Sequence, residues 1–297
     1  MKKLFLLIPI IVLLTGCNSY IELNDLGIIN KIGISHNNTY QLYASIILSR
    51  DENLEPLEET IVVEGNNIPE LIDNLSTSLN KKIYMSHLDL LIIDDTIKTY
   101  EIKNLLNFFL NNDETRENFL VISTDDIKNI MDNSKFQEIN NLIEINQNET
   151  SKSLKTTMFD IAKNYYLNKE IYIQNISYSD KLYLDGITKI HNNKLEHIKN
   201  NNSIFINYLL NNINSYKENL ICKDNQSIYL EILSSNTNNF TNKLIITNEI
   251  KVITDDCNLD KKSINKLFSN YLKENISLYT NKDIIINNTI RSLYENN

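Results

Sequence analysis

The first seventeen residues constrain this chain most, because they set where the fold begins and which compartment it meets. Lys2 and Lys3 precede an apolar run from Leu4 to Leu14, and the small-residue step Thr15-Gly16 leads to Cys17. The run matches the apolar core of an export leader and is far short of the roughly 20 residues that a spanning helix needs. Pro9 within it also opposes a stable spanning helix. Residues 1–16 therefore read as a removable signal peptide, and the fold is expected from Cys17 onward.

The tetrapeptide Leu14-Thr15-Gly16-Cys17 resembles a bacterial lipobox. That resemblance implies cleavage before Cys17, a thioether lipid on its sulfur and acylation of the new amino terminus. Two or more acyl chains hold a protein stably at a bilayer. No later stretch is apolar enough to span one. The 29 basic and 38 acidic side chains give a net charge of −9, and loss of Lys2 and Lys3 with the leader makes the mature chain more negative still. This balance argues against nucleic acid as a partner. It also predicts repulsion from anionic headgroups, so that the lipid holds the protein at the membrane and the body stands off the surface.

A mature chain of about 280 residues predicts two domains or a domain with a large appendage. Asn is about one residue in six, yet apolar periodicity continues through the Asn-rich stretches, which favours a folded chain over a low-complexity one. Residues 26–48 read as two strands around a His36-Asn37-Asn38-Thr39 turn, followed by a strand at Thr60–Glu64 and a helix with Ile68, Leu71, Ile72, Leu75 and Leu79 on one face. Leu88–Ile93 reads as a buried strand, Tyr100–Phe109 as a helix and Phe119–Ser123 as a strand. From Asp132 to Lys169 the pattern is mostly helical. A boundary is expected near Asp180, and Gly186 opens a second unit of strand, helix and strands. Its end, Leu259–Leu293, is helix-patterned. The expected fold class is α+β: a leader (1–16), an N-terminal mixed sheet-and-helix domain running into a helical middle (17–179), and a smaller C-terminal α+β domain (180–297).

The chain offers little to catalysis. With five glycines and four histidines it contains no Gly-rich phosphate loop, no Gly-x-Ser-x-Gly, no His-Glu-x-x-His and no Cys-x-x-Cys pair. His191 and His197 lack a third ligand nearby, so no metal site is expected. Ser86-His87-Leu88-Asp89 sets triad residue types side by side, but strand neighbours point to opposite faces. His87 is instead expected to hydrogen-bond at the start of the buried strand and fix its entry. The acidic doublets Asp94-Asp95, Asp125-Asp126 and Asp255-Asp256 sit at element ends, where they serve caps and turns. No enzyme activity and no cofactor are expected. Cys222 and Cys257 are an even pair in an exported chain; they can form a disulfide or lie buried as two thiols.

Taken together, these residues resemble the Ger(x)C lipoproteins, the C subunits of spore germinant receptors. After the lipobox, Leu26-Gly27-Ile28 and Lys31-Ile32-Gly33-Ile34 resemble the opening strand of that family, with Ser35 in place of its aspartate. Glu64-Gly65 before a helix, Tyr84-Met85-Ser86-His87-Leu88 before a strand, and Phe108-Phe109-Leu110 with Asp113 and Arg116 follow the order and spacing of the family. Gly186-Ile187 to Lys194-Leu195 resembles the start of its C-terminal domain. The chain departs at its end, where the family continues past the last helix into an aromatic segment and a closing strand, so the C-terminal domain is expected to be shortened.

The resemblance implies a non-catalytic, lipid-anchored subunit on the outer face of the spore inner membrane, working with integral-membrane A-type and B-type receptor subunits. Independently of the family, Asp113 and Arg116 are spaced for a local ion pair, and the Arg116 fork suits carboxylates or carbonyls at an interface. The alternative reading is a substrate-binding lipoprotein of a membrane transporter.

Overall fold

The computed structural model describes residues 25–48, 57–191, 194–198, 203–223 and 226–291; the leader and Cys17 lie outside them. The fold is α+β and is built on two sheets. β1 (Leu26–Asn37) and β2 (Thr39–Leu48) form a hairpin at Asn38, whose φ of 77° supplies the left-handed turn residue. β3 (Leu57–Gly65) pairs with β2, while β4 (Lys82–Tyr84) and β5 (Leu90–Asp94) lie parallel along successive stretches of β1. β6 (Leu120–Thr124) and β7 (Ile171–Tyr178) continue in parallel, and β8 (Leu182–His191) and β9 (Lys194–Ile198) return antiparallel. The order is β3-β2-β1-β5-β6-β7-β8-β9, with β4 beside β1.

Five helices cover this sheet: α1 (Ile68–Leu79), α2 (Thr99–Leu110), α3 (Ile127–Asn133), α4 (Phe136–Thr150) and α5 (Met158–Tyr166). Side chains of α1, α2 and α5 share a core with Leu91, Ile93 and Val121, whereas α3 and α4 pack with Leu90, Ile92 and Ile122. β5 is thus buried on both faces, which explains its unbroken apolar run. Each Leu or Ile buried this way contributes about 1.5–3 kcal/mol. Gly33 lets α3 approach β1, for a Cβ there would sit 2.6 Å from Ile127 Cδ1. Lys31, only 2% exposed, leaves the same strand and donates from Nζ to Ser134 O at 2.5 Å. It thereby satisfies a carbonyl past the negative end of α3, and Glu58 Oε2 lies 3.4 Å from the ammonium.

The second sheet holds β10 (Tyr216–Lys223), β11 (Gln226–Asn239), β12 (Lys243–Asp255) and β13 (Asp283–Ile290), in that order. α6 (Ser203–Leu210) precedes it, and α7 (Lys261–Ile276) crosses from β12 to its parallel neighbour β13. Ile264, Phe268, Leu272 and Ile276 of α7 bury one stripe against Leu230, Ile246 and Ile250.

Three expectations differ from this arrangement. The first sheet does not stop at Asp180: that residue lies in the turn between β7 and β8, and their ladder carries the sheet on to Ile198. A polar turn reads the same whether it joins two strands or two domains. Gly186, expected to open a new unit, sits inside β8 at φ 113°, opposite a bulge at Asn175/Ile176. Finally, only the first half of the helix-patterned end is helical. Asp283–Ile290 forms a strand after the last helix, as its β-branched run Ile284-Ile285-Ile286 favours.

α6 packs on the first sheet along a seam where Leu154, Tyr172, Ile187 and Ile206 come together. Polar groups line the same seam. Ser151 ends α4 in the left-handed region at φ 52°, and Asn207 of α6 hydrogen-bonds to the segment that follows.

Candidate functional site: a groove and a hollow on either side of residues 84–89

Between β4 and β5 the chain makes a tight passage beside β1. Leu88 N donates to Met85 O, Asp89 N to Asn30 O, and Leu120 N to Asp89 O. These bonds, with Met85 and Leu88 only 2% and 5% exposed, fix the entry to β5. His87 has no part in it. Its ring is exposed, 6.0 Å from that of Tyr84, and its side chain makes no hydrogen bond among the described residues. Ser86 supplies the side-chain bond instead, donating from Oγ to Glu114 O at 2.8 Å, which also leaves it unsuited to act as a nucleophile.

On one side lies a groove of about 950 Å³ between α1 and α2. Its floor is apolar, with Ile68, Ile72, Ile83, Met85 and Phe108, and carboxamides of Asn66, Asn104, Asn107 and Asn111 stand around it. Tyr40 closes one part. Its ring stacks on His36 at 4.2 Å, and burial together with the neighbouring Glu101 carboxylate pushes its phenol up to about 12. Glu101 is 1% exposed; one oxygen accepts from Lys98 N at the start of α2 and the other faces His36 Nδ1 at 2.5 Å. A single buried carboxylate thus caps a helix and positions the His36/Tyr40 stack beneath the groove.

On the other side is a hollow of about 190 Å³, lined by Ser86, His87, Asp89, Arg116, Asn140 and Lys155 among others. Burial pushes the Asp89 carboxyl up, and the neighbouring His87 and Arg116 oppose this. Asp113 belongs to the groove and Arg116 to the hollow, so the expected ion pair between them is not made. Residues 112–118 form turns rather than a helix, and helical spacing does not operate there. Among the described residues no three His, Cys, Asp or Glu side chains come together as a metal site, and none of the helices is long and apolar enough to cross a membrane. Cys222 and Cys257 are brought together, with Cα atoms 6.6 Å apart. Cys17 lies outside the described residues.

Sequence reasoning missed Tyr40, His36 and Glu101, which come from elements far apart in the chain. A buried glutamate in the first turn of a helix has the same local signature as an exposed one.

The chain is similar to known proteins in sequence and in structure. Residues 19–178 match the model of the spore germination protein N-terminal domain, and residues 1–18 match the prokaryotic membrane lipoprotein lipid attachment site. Spore germination protein KC of Bacillus subtilis (strain 168) is 25% identical over 181 residues, an alignment covering 53% of this chain and 44% of that relative. The chain thus spans less than half the length of the curated relative it matches. The crystal structure of the GerBC protein aligns with a TM-score of 0.49 at 14% identity, covering 89% of this chain and 97% of that one. With the germination domain covering more than half of its length behind a lipid attachment site, the chain belongs to the Ger(x)C family of spore germination lipoproteins.

Proposed function

We propose that this protein is a non-catalytic, lipid-anchored subunit of a nutrient-germinant receptor, held at the outer face of the spore inner membrane beside integral-membrane A-type and B-type subunits. The observation that carries the reading is the germination domain directly behind a lipid attachment site. The groove and hollow support it in a limited sense. The groove combines an apolar floor with a polar rim and the hollow is lined mostly by polar side chains, but neither joins a nucleophile to a base, which suits binding or contact rather than bond breaking. A tethered subunit of this kind acts by contacting one state of its complex more strongly than another. The test compares nutrient-triggered dipicolinate release from wild-type spores, spores lacking the protein and spores carrying Cys17→Ala. Both mutants should fail with one class of nutrient and respond normally to non-nutrient triggers. Normal nutrient germination in both, with sister receptors deleted, rejects the reading.

The groove favours one alternative, a substrate-binding lipoprotein of a transporter, because its volume and apolar floor suit a small ligand. A thermal-shift screen separates the two. A ligand at a hundred times its Kd stabilises the protein by about 2.7 kcal/mol, whereas a purely architectural subunit shows no such rise.

A further inference from the structure

We propose that the exposed face of α5 rests on the headgroup layer of the membrane that holds the lipid of Cys17. One side of α5 buries Met158, Ile161 and Ala162 in the core. The other presents Phe159 at 53% exposure and Tyr166 at 62%, with Leu167 at 54% just beyond the helix. Exposed Lys163 stands between them, and exposed Lys169 follows. Positions 159, 163, 166 and 167 fall on one helical stripe.

The stripe contains no acid, although the protein is strongly acidic overall. Asp160 is turned to the N-cap, accepting from Thr157 N and Oγ at 3.0 and 2.8 Å, and Glu170 is paired with Lys189 at 2.6 Å. Glu117 is an exposed acid beside the first turn. Aromatic and leucine side chains mixed with lysines that reach outward are the chemistry of an interfacial helix. Net charge alone predicts a body that stands off the bilayer; α5 breaks that pattern locally.

Its place in the fold agrees. Thr157 bridges Leu120 at the amino end of β6, and after α5 the chain enters the amino end of β7. β1 starts at this same end, at Leu26. Leu120 is level with Leu90, and Leu90 with Lys31, which is about 17 Å along β1 from Leu26 at the usual strand rise. The chain from Cys17 to Leu26 can extend about 30 Å, so a membrane holding the lipid is within reach of α5. Because the anchor keeps the bilayer close, a weak contact suffices to hold the face down.

The chain has no tryptophan, which makes single-tryptophan reporters unambiguous. Phe159→Trp, Tyr166→Trp and, as a remote control, Phe240→Trp at the exposed turn between β11 and β12 are made in the full lipidated protein. Each is reconstituted into vesicles of phosphatidylcholine and phosphatidylglycerol, with or without brominated acyl chains. Co-flotation of the parent with vesicles, and its loss in Cys17→Ala, test the anchor separately. The reporters at 159 and 166 are expected to shift to the blue and lose about half or more of their emission to brominated lipid, as burial near the headgroup boundary requires. The one at 240 should not change, and Lys163→Glu should weaken the quenching at 159. Equal behaviour at all three positions overturns the proposal. So does a shift that follows protein concentration, which identifies a second copy as the occupant, or one that arises only when the other receptor subunits are added.

Discussion

Asn207 of α6 donates from Nδ2 to Ser151 O at 2.8 Å and to Ser153 O at 2.9 Å, so one fully buried carboxamide ties the second unit to the chain leaving α4. Ser203 Oγ donates to Lys152 O nearby, and Asn214 N to Ser151 Oγ. Asn207→Ala leaves two buried carbonyls without a partner and is expected to destabilise the protein by about 1–3 kcal/mol. Asn214→Ala removes only an exposed contact with Asn148 and should stay within about 0.5 kcal/mol of wild type. Urea unfolding of the two variants checks the contrast. Equal midpoints reject the seam as a stabilising contact.

Gly33 and Ile127 give a second test. A methyl at position 33 would meet Ile127 Cδ1 at 2.6 Å and Cγ1 at 2.8 Å, pushing α3 away from β1. Gly33→Ala should therefore destabilise by about 1–3 kcal/mol. Ile127→Ala alone also destabilises, by opening a cavity, but in the double variant the new methyl occupies part of that space. The double-mutant cycle should show less loss than the sum of the singles; simple additivity means that the two side chains do not compete for one space.

Much of this fold was legible because single elements carried unambiguous patterns. Leu88–Ile93 has no polar interruption except Asp89, as burial on both faces of the sheet requires, and the stripe from Ile68 to Leu79 has the period of α1. The turn at Ser179–Lys181 was misleading because its polarity encodes a reversal of direction and says nothing about which strand pairs next. At the end of the chain, Ile284 to Ile286 fits either period until α7 shows that the chain must cross back to β12. The candidate site was less legible still. Asp113 and Arg116 looked paired on sequence distance alone, and the Tyr40 wall of the groove depends on Glu101, whose burial is decided by packing between α2 and the β1–β2 hairpin.

The carboxyl ends of β5 and β6 collect acids, and this predicts a response to pH. Burial, followed by the charges of Asp94 and Asp125, pushes the Asp95 carboxyl up, with His197 opposing. A carboxyl whose folded pKa lies above its unfolded value opposes folding while ionised, and the penalty disappears as pH falls through the folded value. Asp95→Asn should therefore raise Tm at neutral pH, and the gain should shrink towards zero below about pH 4, where the unfolded carboxyl is also protonated. Thermal melts of both proteins across that range test this, and a gain that persists at low pH would point to packing rather than charge.

Cys222 near the end of β10 and Cys257 after β12 stand 35 residues apart in sequence, with Cα atoms 6.6 Å apart, inside the span that disulfides bridge. Because the leader exports the chain, the pair is expected to be oxidised in the mature protein. Closing a loop of this length restricts the unfolded chain enough to stabilise the fold by about 3–4 kcal/mol in the chain-entropy account. Peptide mapping without reduction should find the two linked, and thiol titration of the unfolded protein should find neither free. Cys222→Ser and Cys257→Ser should then lose similar stability, and the double variant no more than either single, since each removes the same bond. Two free thiols in protein purified from its own membrane reject the bond, and the pair then packs as small apolar side chains at the edge of the second core.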